Sequence, residues 1–255
     1  MNKINRRKAL SLSAYSLLGS SLGLQARGED QAGHENSAGE TLKLVVFGAH
    51  PDDPETGCGG TMALWADAGH TVIAAYLTRG EAGINGKSHE EAARIRTGEA
   101  ETACRILGVQ PLFLGQVDGS TVIDESRYDE IYRFLEETKP DMVATHWPID
   151  THRDHRICSI LVYDAWLRLQ RCFSLYYYEV MTGVQSQNFQ PSMYVDITPV
   201  LDRKHRACFA HESQGIREEY KNDHAKMEVF RGLEGGYSFA EAFIHHSQSS
   251  HISLV

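Results

Sequence analysis

The sequence is poor in positive charge, with 25 lysine and arginine residues against 34 aspartate and glutamate residues and a net charge of −9 at pH 7. An acidic surface is repelled by phosphate backbones and by anionic lipid headgroups. The charge balance therefore argues against nucleic acid or an anionic membrane as a partner. The hydrophobic content of 42% is, by contrast, ordinary for a globular protein.

Cysteine is also scarce. The five cysteines contain no C-x-x-C pair, and their odd number leaves at least one unpaired. This pattern does not resemble a disulfide-stapled scaffold, although a single disulfide is compatible with it. In a chain of 255 residues we expect the cysteines to act mainly as small buried apolar side chains.

The amino-terminal segment lacks an apolar run long enough to span a bilayer. Its apolar stretch, residues 9–24, has about 16 residues against the roughly 20 required. It follows the pair Arg6-Arg7 and precedes an A-x-A-like site ending at Ala26. We therefore predict a signal peptide at 1–26, of the twin-arginine type, with export to the periplasm or cell envelope of a bacterium. An uncleaved membrane anchor is the alternative.

The remaining chain is predicted to be a flexible leader, residues 27–40, followed by one domain, residues 41–255. Within the domain, strand-like runs alternate with helical patterns. This order predicts an α/β fold, a Rossmann-like and mostly parallel sheet with helices on both faces. The predicted strands are 42–48, 71–77, 111–114, 141–145 and 174–178, and the predicted helices are 61–68, 88–107, 128–138 and 155–169. Beyond them we expect an edge strand at 193–197, helices at 199–211 and 218–231, and a solvated polar tail around His245 and His246.

The glycine-rich stretch at 57–60 does not match a nucleotide-binding loop. It is not G-x-G-x-x-G, and no Walker lysine follows it. We expect these glycines to form a tight turn that lets the start of a helix approach a site.

Two predicted strands end in dense polar clusters. Residues 50–53 (HPDD) follow the first strand, and residues 146–155 (HWPIDTHRDH) follow the fourth. Parallel strands place their carboxyl ends at one edge of the sheet, where such folds bind ligands. Histidine and carboxylate groups three residues apart can face one point, and a catalytic zinc takes three such ligands. The two clusters together favour a metal site with further acid–base groups beside it.

Each cluster taken alone has a simpler interpretation. An Asp-Asp pair after a strand is often a helix cap, Asp-Pro is a turn signal, and surface histidines are common. The occurrence of both clusters at strand ends favours the metal site.

These motifs resemble those of the PIG-L/LmbE-like zinc-dependent N-deacetylase family, which removes acetyl groups from N-acetylglucosamine conjugates. The family pattern is H-P-D-D, a glycine-rich turn and a distant H-x-D-H, here residues 50–53, 57–60 and 152–155. Residues 78–81, 94–107 and 204–214 extend the likeness, which covers roughly 42–243.

The resemblance implies a role for each motif residue. His50, Asp53 and His155 correspond to the zinc ligands, although another divalent metal such as Fe²⁺ is compatible with them. Asp52 corresponds to the general base. The remaining positions are His152, which would stabilise the oxyanion, Asp154, which would orient His152, and Arg79, which would contact substrate. Asp150 stands where some members carry a mobile tyrosine, and we predict a substrate contact there.

The sequence thus predicts a metal-dependent hydrolase that removes an N-acetyl group from an amino-sugar-containing substrate. In such an enzyme the metal polarises the carbonyl and activates water. Another metal-assisted amide hydrolase on the same fold is one alternative. A metal-containing sugar-binding module without turnover is a second, which Asp52 disfavours because binding alone does not require a base. The expected partner is a small-molecule or glycan substrate, with no membrane span in the mature form.

Overall fold

The computed structural model describes residues 41–250 and 252–254. The predicted signal peptide at 1–26 and leader at 27–40 lie outside the described residues. The strands are β1 Lys43–Gly48, β2 Thr71–Tyr76, β3 Gln110–Phe113, β4 Met142–His146, β5 Ser174–Tyr178, β6 Met193–Asp196 and β7 Ala240–His245. The helices are α1 Asp53–Asp67, α2 His89–Leu107, α3 Glu125–Thr138, α4 Arg153–Arg168, α5 Leu201–Cys208, α6 Ile216–Glu219 and α7 His224–Gly235, with 3₁₀ turns at Thr198–Val200 and Glu212–Gln214.

The strands form one seven-stranded sheet in the order β3-β2-β1-β4-β5-β7-β6. The first five strands are parallel, whereas β7 pairs antiparallel with both β5 and β6. Val45 lies at the centre, paired with Ile73 on one side and Val143 on the other. The predicted Rossmann-like, mostly parallel sheet is confirmed.

The strand order reverses between β1 and β4, which are neighbours in the sheet but distant in the chain. The chain runs outward from β1 through β2 to β3 and then returns by way of α3 to β4. In open α/β sheets this reversal leaves a crevice outside the carboxyl ends of the two strands. The two polar clusters of the sequence follow β1 and β4, so both open into this crevice.

Apolar side chains cover both faces of the sheet. One face packs Leu44, Val46 and Tyr178 against α1, α2 and α5. The other packs Val45 and Phe47 beneath α3 and α4, and Trp166 of α4 belongs to the same apolar cluster. The successive residues of β1 therefore serve opposite cores, as the period of two in a strand requires. Helices lie on both faces, as predicted.

Helix α1 begins earlier than the sequence pattern predicted, at Asp53 rather than at residue 61. The predicted tight turn at 57–60 is therefore wrong, because these glycines lie inside the helix. A Cβ atom at Gly57 would lie 2.4 Å from Cδ2 of Tyr178, and one at Gly60 would lie 2.3 Å from Cγ2 of Ile197. The glycines cost helix stability, roughly 0.5–1 kcal/mol each, but they let α1 pack directly on its neighbours.

The carboxy-terminal part also differs from the prediction. The predicted helices 199–211 and 218–231 are observed as the shorter α5, α6 and α7. No strand was predicted at 240–245, but β7 inserts there between β5 and the edge strand β6, with Ile244 opposite Tyr177 and Ala242 opposite Tyr194. The last residue of β7, His245, was expected in the solvated polar tail. This insertion carries Glu241 into the interior, where it is 4% exposed.

The cysteines follow the expectation drawn from their spacing. All five are free; Cys58, Cys104, Cys158 and Cys208 are buried, and Cys172 is exposed. In the described part of the chain, no helix combines the length and apolar character that a membrane span requires.

Candidate metal centre and active-site cleft

The turn after β1 presents three polar side chains within four residues. Asp53 starts α1, and its carboxylate accepts the backbone N–H of His50 at 2.8 Å. Asp52 has φ 107°, a left-handed conformation that non-glycine residues rarely adopt. Its backbone N–H donates to the Glu55 side chain at 3.2 Å. Two hydrogen bonds, from His50 to Asp53 and from Asp52 to Glu55, thus hold the strained turn and fix the directions of the Asp52 and Asp53 carboxylates.

The loop after β4 supplies the second half of the site. His152 immediately precedes α4, and its Nδ1 accepts the backbone N–H of Asp154 at 3.3 Å. His155 follows in the first turn of α4 and is buried. The start of α4 therefore places both histidines at the crevice, with the tautomer of His152 set by its role as the helix cap.

The three predicted metal ligands meet at the Asp53 carboxylate. Its Oδ2 lies 3.2 Å from Nδ1 of His50, and its Oδ1 lies 3.3 Å from Nε2 of His155. Ligands bonded to zinc at 2.0–2.1 Å in a tetrahedron are about 3.3 Å apart. The nitrogens of His50, His152 and His155 also lie within 4.8 Å of one another. The two imidazoles and one carboxylate therefore match a zinc-type donor set in kind, and each histidine nitrogen lies at ligand spacing from one oxygen of Asp53.

Two more residues enlarge this cluster of donors. His146 belongs to a group with Asp53 and His155, and Asp118 to a group with His50 and Asp154. Nε2 of His146 accepts the backbone N–H of Ala49 at 2.9 Å. Burial and the nearby His155 lower the pKa of His146 to about 4, so it is neutral and lies behind the site.

The charges of the cluster are strongly coupled. Burial alone would lower the pKa values of His50 and His155, but the carboxylates that face these two rings outweigh it. The pKa of His50 is raised, and the pKa of His155 is raised to about 9. Burial raises the pKa of Asp53, but His155 and His146 outweigh it and hold it well below its usual range. Histidines bind metals in the neutral form. Metal binding at this centre would therefore release protons.

Asp154 makes different contacts from those the sequence predicted. Its carboxylate accepts from the N–H of Gly119 at 2.8 Å and from the hydroxyl of Thr121 at 2.6 Å, and it lies 3.4 Å from Nε2 of His50. These bonds outweigh the cost of burial and hold the pKa of Asp154 well below its usual range. The carboxylate thus orients the His50 ring, whereas its predicted partner His152 is reached by the backbone N–H of Asp154.

Asp150 is not at the cleft surface, where a substrate contact was predicted. It is 5% exposed, and its Oδ2 lies 3.2 Å from Nδ1 of His155. It also accepts from the N–H of His152 at 2.7 Å and from the hydroxyl of Ser186 at 3.1 Å. A bridge between Asp150 and Ser186 ties the loop down and turns this side chain inward. Its position is that of a carboxylate that orients a metal-binding histidine.

Arg79 is likewise outside the cleft, exposed and with its guanidinium 5.4 Å from the centroid of the Phe113 ring. The arginine that lines the cleft is Arg96, whose Nη2 lies 2.9 Å from Oδ2 of Asp52 and also bonds to the carbonyl of Pro51. The sequence carries a sign of this role, because Arg96 occupies the apolar stripe of α2 among alanines. A charged residue in such a stripe must find a buried partner.

Asp118 is a second cleft residue that the sequence analysis missed. It follows β3 at the same sheet edge, and its Oδ1 lies 3.1 Å from Nε2 of His50. The dipeptide Asp118-Gly119 is a turn signal that follows a predicted strand. This signal could have identified Asp118 as a candidate site residue.

The cleft that contains these groups has a volume of about 540 Å³. His50, Asp52, Asp53, His152 and His155 line one part of it. The side chain of Asp52 is 20% exposed, and its carboxylate is separate from the Asp53 carboxylate that meets the histidines. Burial raises the pKa of Asp52, and the neighbouring Arg96 opposes that rise. A proton-accepting group therefore stands beside a metal-type donor set.

Known proteins are similar to this chain in sequence and in fold. Residues 45–166 match the family described as PIG-L: GlcNAc-PI de-N-acetylase. The probable N-acetyl-alpha-D-glucosaminyl L-malate deacetylase 2 of Bacillus cereus is 30% identical over 195 residues, covering 72% of this chain and 88% of that protein. The N,N'-diacetylchitobiose deacetylase of Pyrococcus horikoshii is similar with a TM-score of 0.73 at 25% identity, covering 81% of this chain and 84% of that one.

The fold itself is wider than one reaction. GalB, the 4-carboxy-2-hydroxymuconate hydratase of Pseudomonas putida, has a TM-score of 0.74 at 21% identity, covering 84% of this chain and 100% of that one. At that identity the likeness shows the fold alone, so the assignment rests on sequence similarity together with the H-P-D-D and H-x-D-H motifs at one crevice. On these grounds the chain belongs to the PIG-L family of de-N-acetylases.

Proposed function

We propose that this protein is a metal-dependent de-N-acetylase that hydrolyses the acetamido group of an N-acetylglucosamine-type substrate. The observation that carries the proposal is the position of the Asp52 carboxylate. It lines the same cleft as the three candidate metal ligands, but it is not one of them. A binding module would need the ligands, but it would have no use for a proton-accepting carboxylate beside them. The activities named for the relatives support the choice of an acetylated amino sugar.

His50, Asp53 and His155 would hold the metal. We propose Zn²⁺, because two imidazoles and one carboxylate are a donor set found in zinc hydrolases; Fe²⁺ is the alternative. A bound divalent ion would supply Lewis acidity toward the carbonyl and a lowered pKa for water.

Asp52 would accept the proton of the attacking water and return it to the leaving amine. The bond from Arg96 at 2.9 Å and the strained backbone at φ 107° hold its carboxylate in one direction. A positioned general base typically contributes a rate factor of about 100 to 10,000.

His152 would donate a hydrogen bond to the oxyanion. Because Nδ1 accepts the backbone N–H of Asp154, the proton of the neutral ring sits on Nε2. Burial lowers the pKa of His152, which favours the neutral donor. Losing one oxyanion donor typically costs about 100- to 1,000-fold in rate.

The substitution Asp52→Asn tests the proposal. We expect acetate release from N-acetylated sugars to fall by about 100-fold or more, while metal content measured by mass spectrometry stays near one ion per chain. Asp67→Asn is the matched control, because Asp67 ends the same helix and its side chain is 55% exposed. Normal turnover in Asp52→Asn, or wild-type protein that holds no divalent metal, would refute the proposal.

We also propose that the protein acts outside the cytoplasm, on the strength of the segment at 1–26. Cell fractionation and amino-terminal sequencing of the secreted form test this. Protein that stays in the cytoplasm with residues 1–26 intact contradicts it.

A further inference from the structure

The cleft has a second part whose side chains are uncharged. It combines apolar side chains with two neutral amides and one imidazole. These residues are Val180, Met181, Gln185, Gln214, Ile216 and His224.

This uncharged part is fixed next to the reacting groups by backbone hydrogen bonds. The N–H of Thr151 donates to the carbonyl of Gln185 at 3.0 Å, and the N–H of Gln187 donates to the carbonyl of Ile149 at 2.8 Å. Across the cleft, the Gln214 side chain donates to the carbonyl of Gly83 at 3.2 Å. A group attached to the reacting sugar would therefore meet preformed walls.

His224 adds no positive charge to these walls. Burial, and then the charge of Lys204, lower the pKa of His224 to about 4, so the ring is neutral at neutral pH. Lys204 itself is 1% exposed and is held by Glu241 at 2.8 Å and Glu228 at 3.1 Å.

Among the described residues, Arg96 is the one lysine or arginine that lines the cleft, and Arg217 lies outside the lining. Arg96 is paired with Asp52. Arg217, next to Ile216 in the chain, lies with its guanidinium 4.5 Å from the centroid of the Phe209 ring. The cleft also contains the Asp118 carboxylate. At these uncharged walls a carboxylate or phosphate on the substrate would lose hydration, and among the described residues that line the cleft no unpaired lysine or arginine would replace it, which is costly.

We propose that this uncharged part selects substrates whose amino sugar carries a neutral, hydroxyl-rich group, such as a second sugar ring, and discriminates against anionic groups. The Gln185 and Gln214 amides suit hydroxyls, and Val180, Met181 and Ile216 suit the C–H faces of a sugar ring. This inference rests on the proposed function and narrows its substrate class.

The test is a substrate pair that differs in two negative charges and in two small methyl groups: N-acetylglucosaminyl L-malate and its dimethyl ester. Acetate release by the full-length, metal-loaded protein gives kcat/KM for each, with N,N'-diacetylchitobiose as the neutral disaccharide. We expect kcat/KM to favour the ester by about tenfold or more, which corresponds to about 1.4 kcal/mol. Equal or faster hydrolysis of the malate conjugate would overturn the inference while leaving the proposed function intact.

A variant that introduces a positive charge into the cleft provides a second test, with a matched control elsewhere on the surface. The hydrogen bonds of Gln185 are made by its backbone N–H and carbonyl, so Gln185→Arg adds a cation without removing a side-chain hydrogen bond. We expect it to raise kcat/KM for the malate conjugate relative to the ester. Gln110→Arg, an exposed change at the amino end of β3, should leave the ratio unchanged. An unchanged ratio in Gln185→Arg would also count against the inference.

Binding separates the inference from turnover. Calorimetric titration of the two deacetylated products, the free amines of the same pair, measures the charge preference even if no substrate is hydrolysed. No hydrolysis of any N-acetyl sugar would refute the proposed function, whereas equal affinities or tighter binding of the malate amine would refute the charge discrimination.

Discussion

The substitution Lys204→Met tests whether a buried ion cluster anchors the helix that carries Asp53. The Lys204 ammonium lies between the Glu241 and Glu228 carboxylates, and all three side chains are at most 4% exposed. Its alkyl stem packs on α1 at Gly59. Methionine keeps much of that packing but leaves two buried carboxylates without their cation.

The size of the loss follows from what the carboxylates retain. Removing one partner of a buried ion pair typically costs about 3–5 kcal/mol. Glu241 would still accept the N–H groups of Gly60 at 2.7 Å and Thr61 at 2.8 Å, and Glu228 would keep the hydroxyl of Tyr220 at 2.7 Å. These remaining bonds place the expected loss at the lower end, about 3 kcal/mol of unfolding free energy.

The loss should also depend on pH in a defined direction. Burial raises the pKa of Glu228, but Lys204, His205 and Tyr220 outweigh it and bring it to about 2, against an ordinary 4.5. A carboxyl group with a lowered folded pKa stabilises the protein fully above its unfolded pKa and loses that effect as the pH falls toward the folded value. The difference between wild type and Lys204→Met should therefore be largest near pH 7 and shrink below about pH 4.5.

Urea unfolding of the full chain, followed by circular dichroism at pH 7 and pH 4, measures both effects. Arg203→Met is the control on the same helix, because Arg203 pairs with the exposed carboxylate of Asp67 and such pairs contribute at most about 1 kcal/mol. A loss below 1 kcal/mol in Lys204→Met, or one that is the same at both pH values, would refute the reasoning.

Three further outcomes are expected. Asp150→Asn should weaken metal affinity by about 10- to 100-fold, measured by competition with a chelator, because the carboxylate contacts the ring nitrogen of His155 away from the metal position. Gly60→Ala should lower the unfolding free energy by about 1–3 kcal/mol through overpacking, whereas Gly98→Ala, with open space around it, should raise it by about 0.4–1 kcal/mol. Arg96→Met should reduce kcat by about 100-fold through loss of the Asp52 anchor while metal content is unchanged; Arg94→Met, exposed on the same helix, should not.

The parallel part of the fold was predictable because each of its strands is a local run of apolar residues in the sequence. Ser88 and Gly108 cap α2 as the sequence indicates: Ser88 accepts the N–H of Glu91 at 3.2 Å, and Gly108 is left-handed with φ 81°. The start of α1 was not predictable in the same way. Glycine is a poor helix former. The neighbouring sequence does not indicate that Tyr178 and Ile197 occupy the space that a side chain at Gly57 or Gly60 would need.

The missed strand β7 has the same kind of cause. Its residues lie about sixty positions beyond β5, and the pairing of Ile244 with Tyr177 joins them only in three dimensions. The strand is short, and the histidines and serines that follow it make the segment look like a polar tail in the sequence. An antiparallel strand inserted from the carboxyl terminus is a topological choice, and hydrophobic periodicity carries no information about it.

The acidic residues around His155 show how far motif spacing reaches. Spacing identified the segment that carries Asp150 and Asp154, but it did not determine which histidine each carboxylate contacts. That choice is made by distant segments: Ser186 draws Asp150 toward His155, and Thr121 draws Asp154 toward His50. A sequence motif therefore predicts which groups share a site, whereas the division of labour among its carboxylates is decided by partners that the motif does not contain.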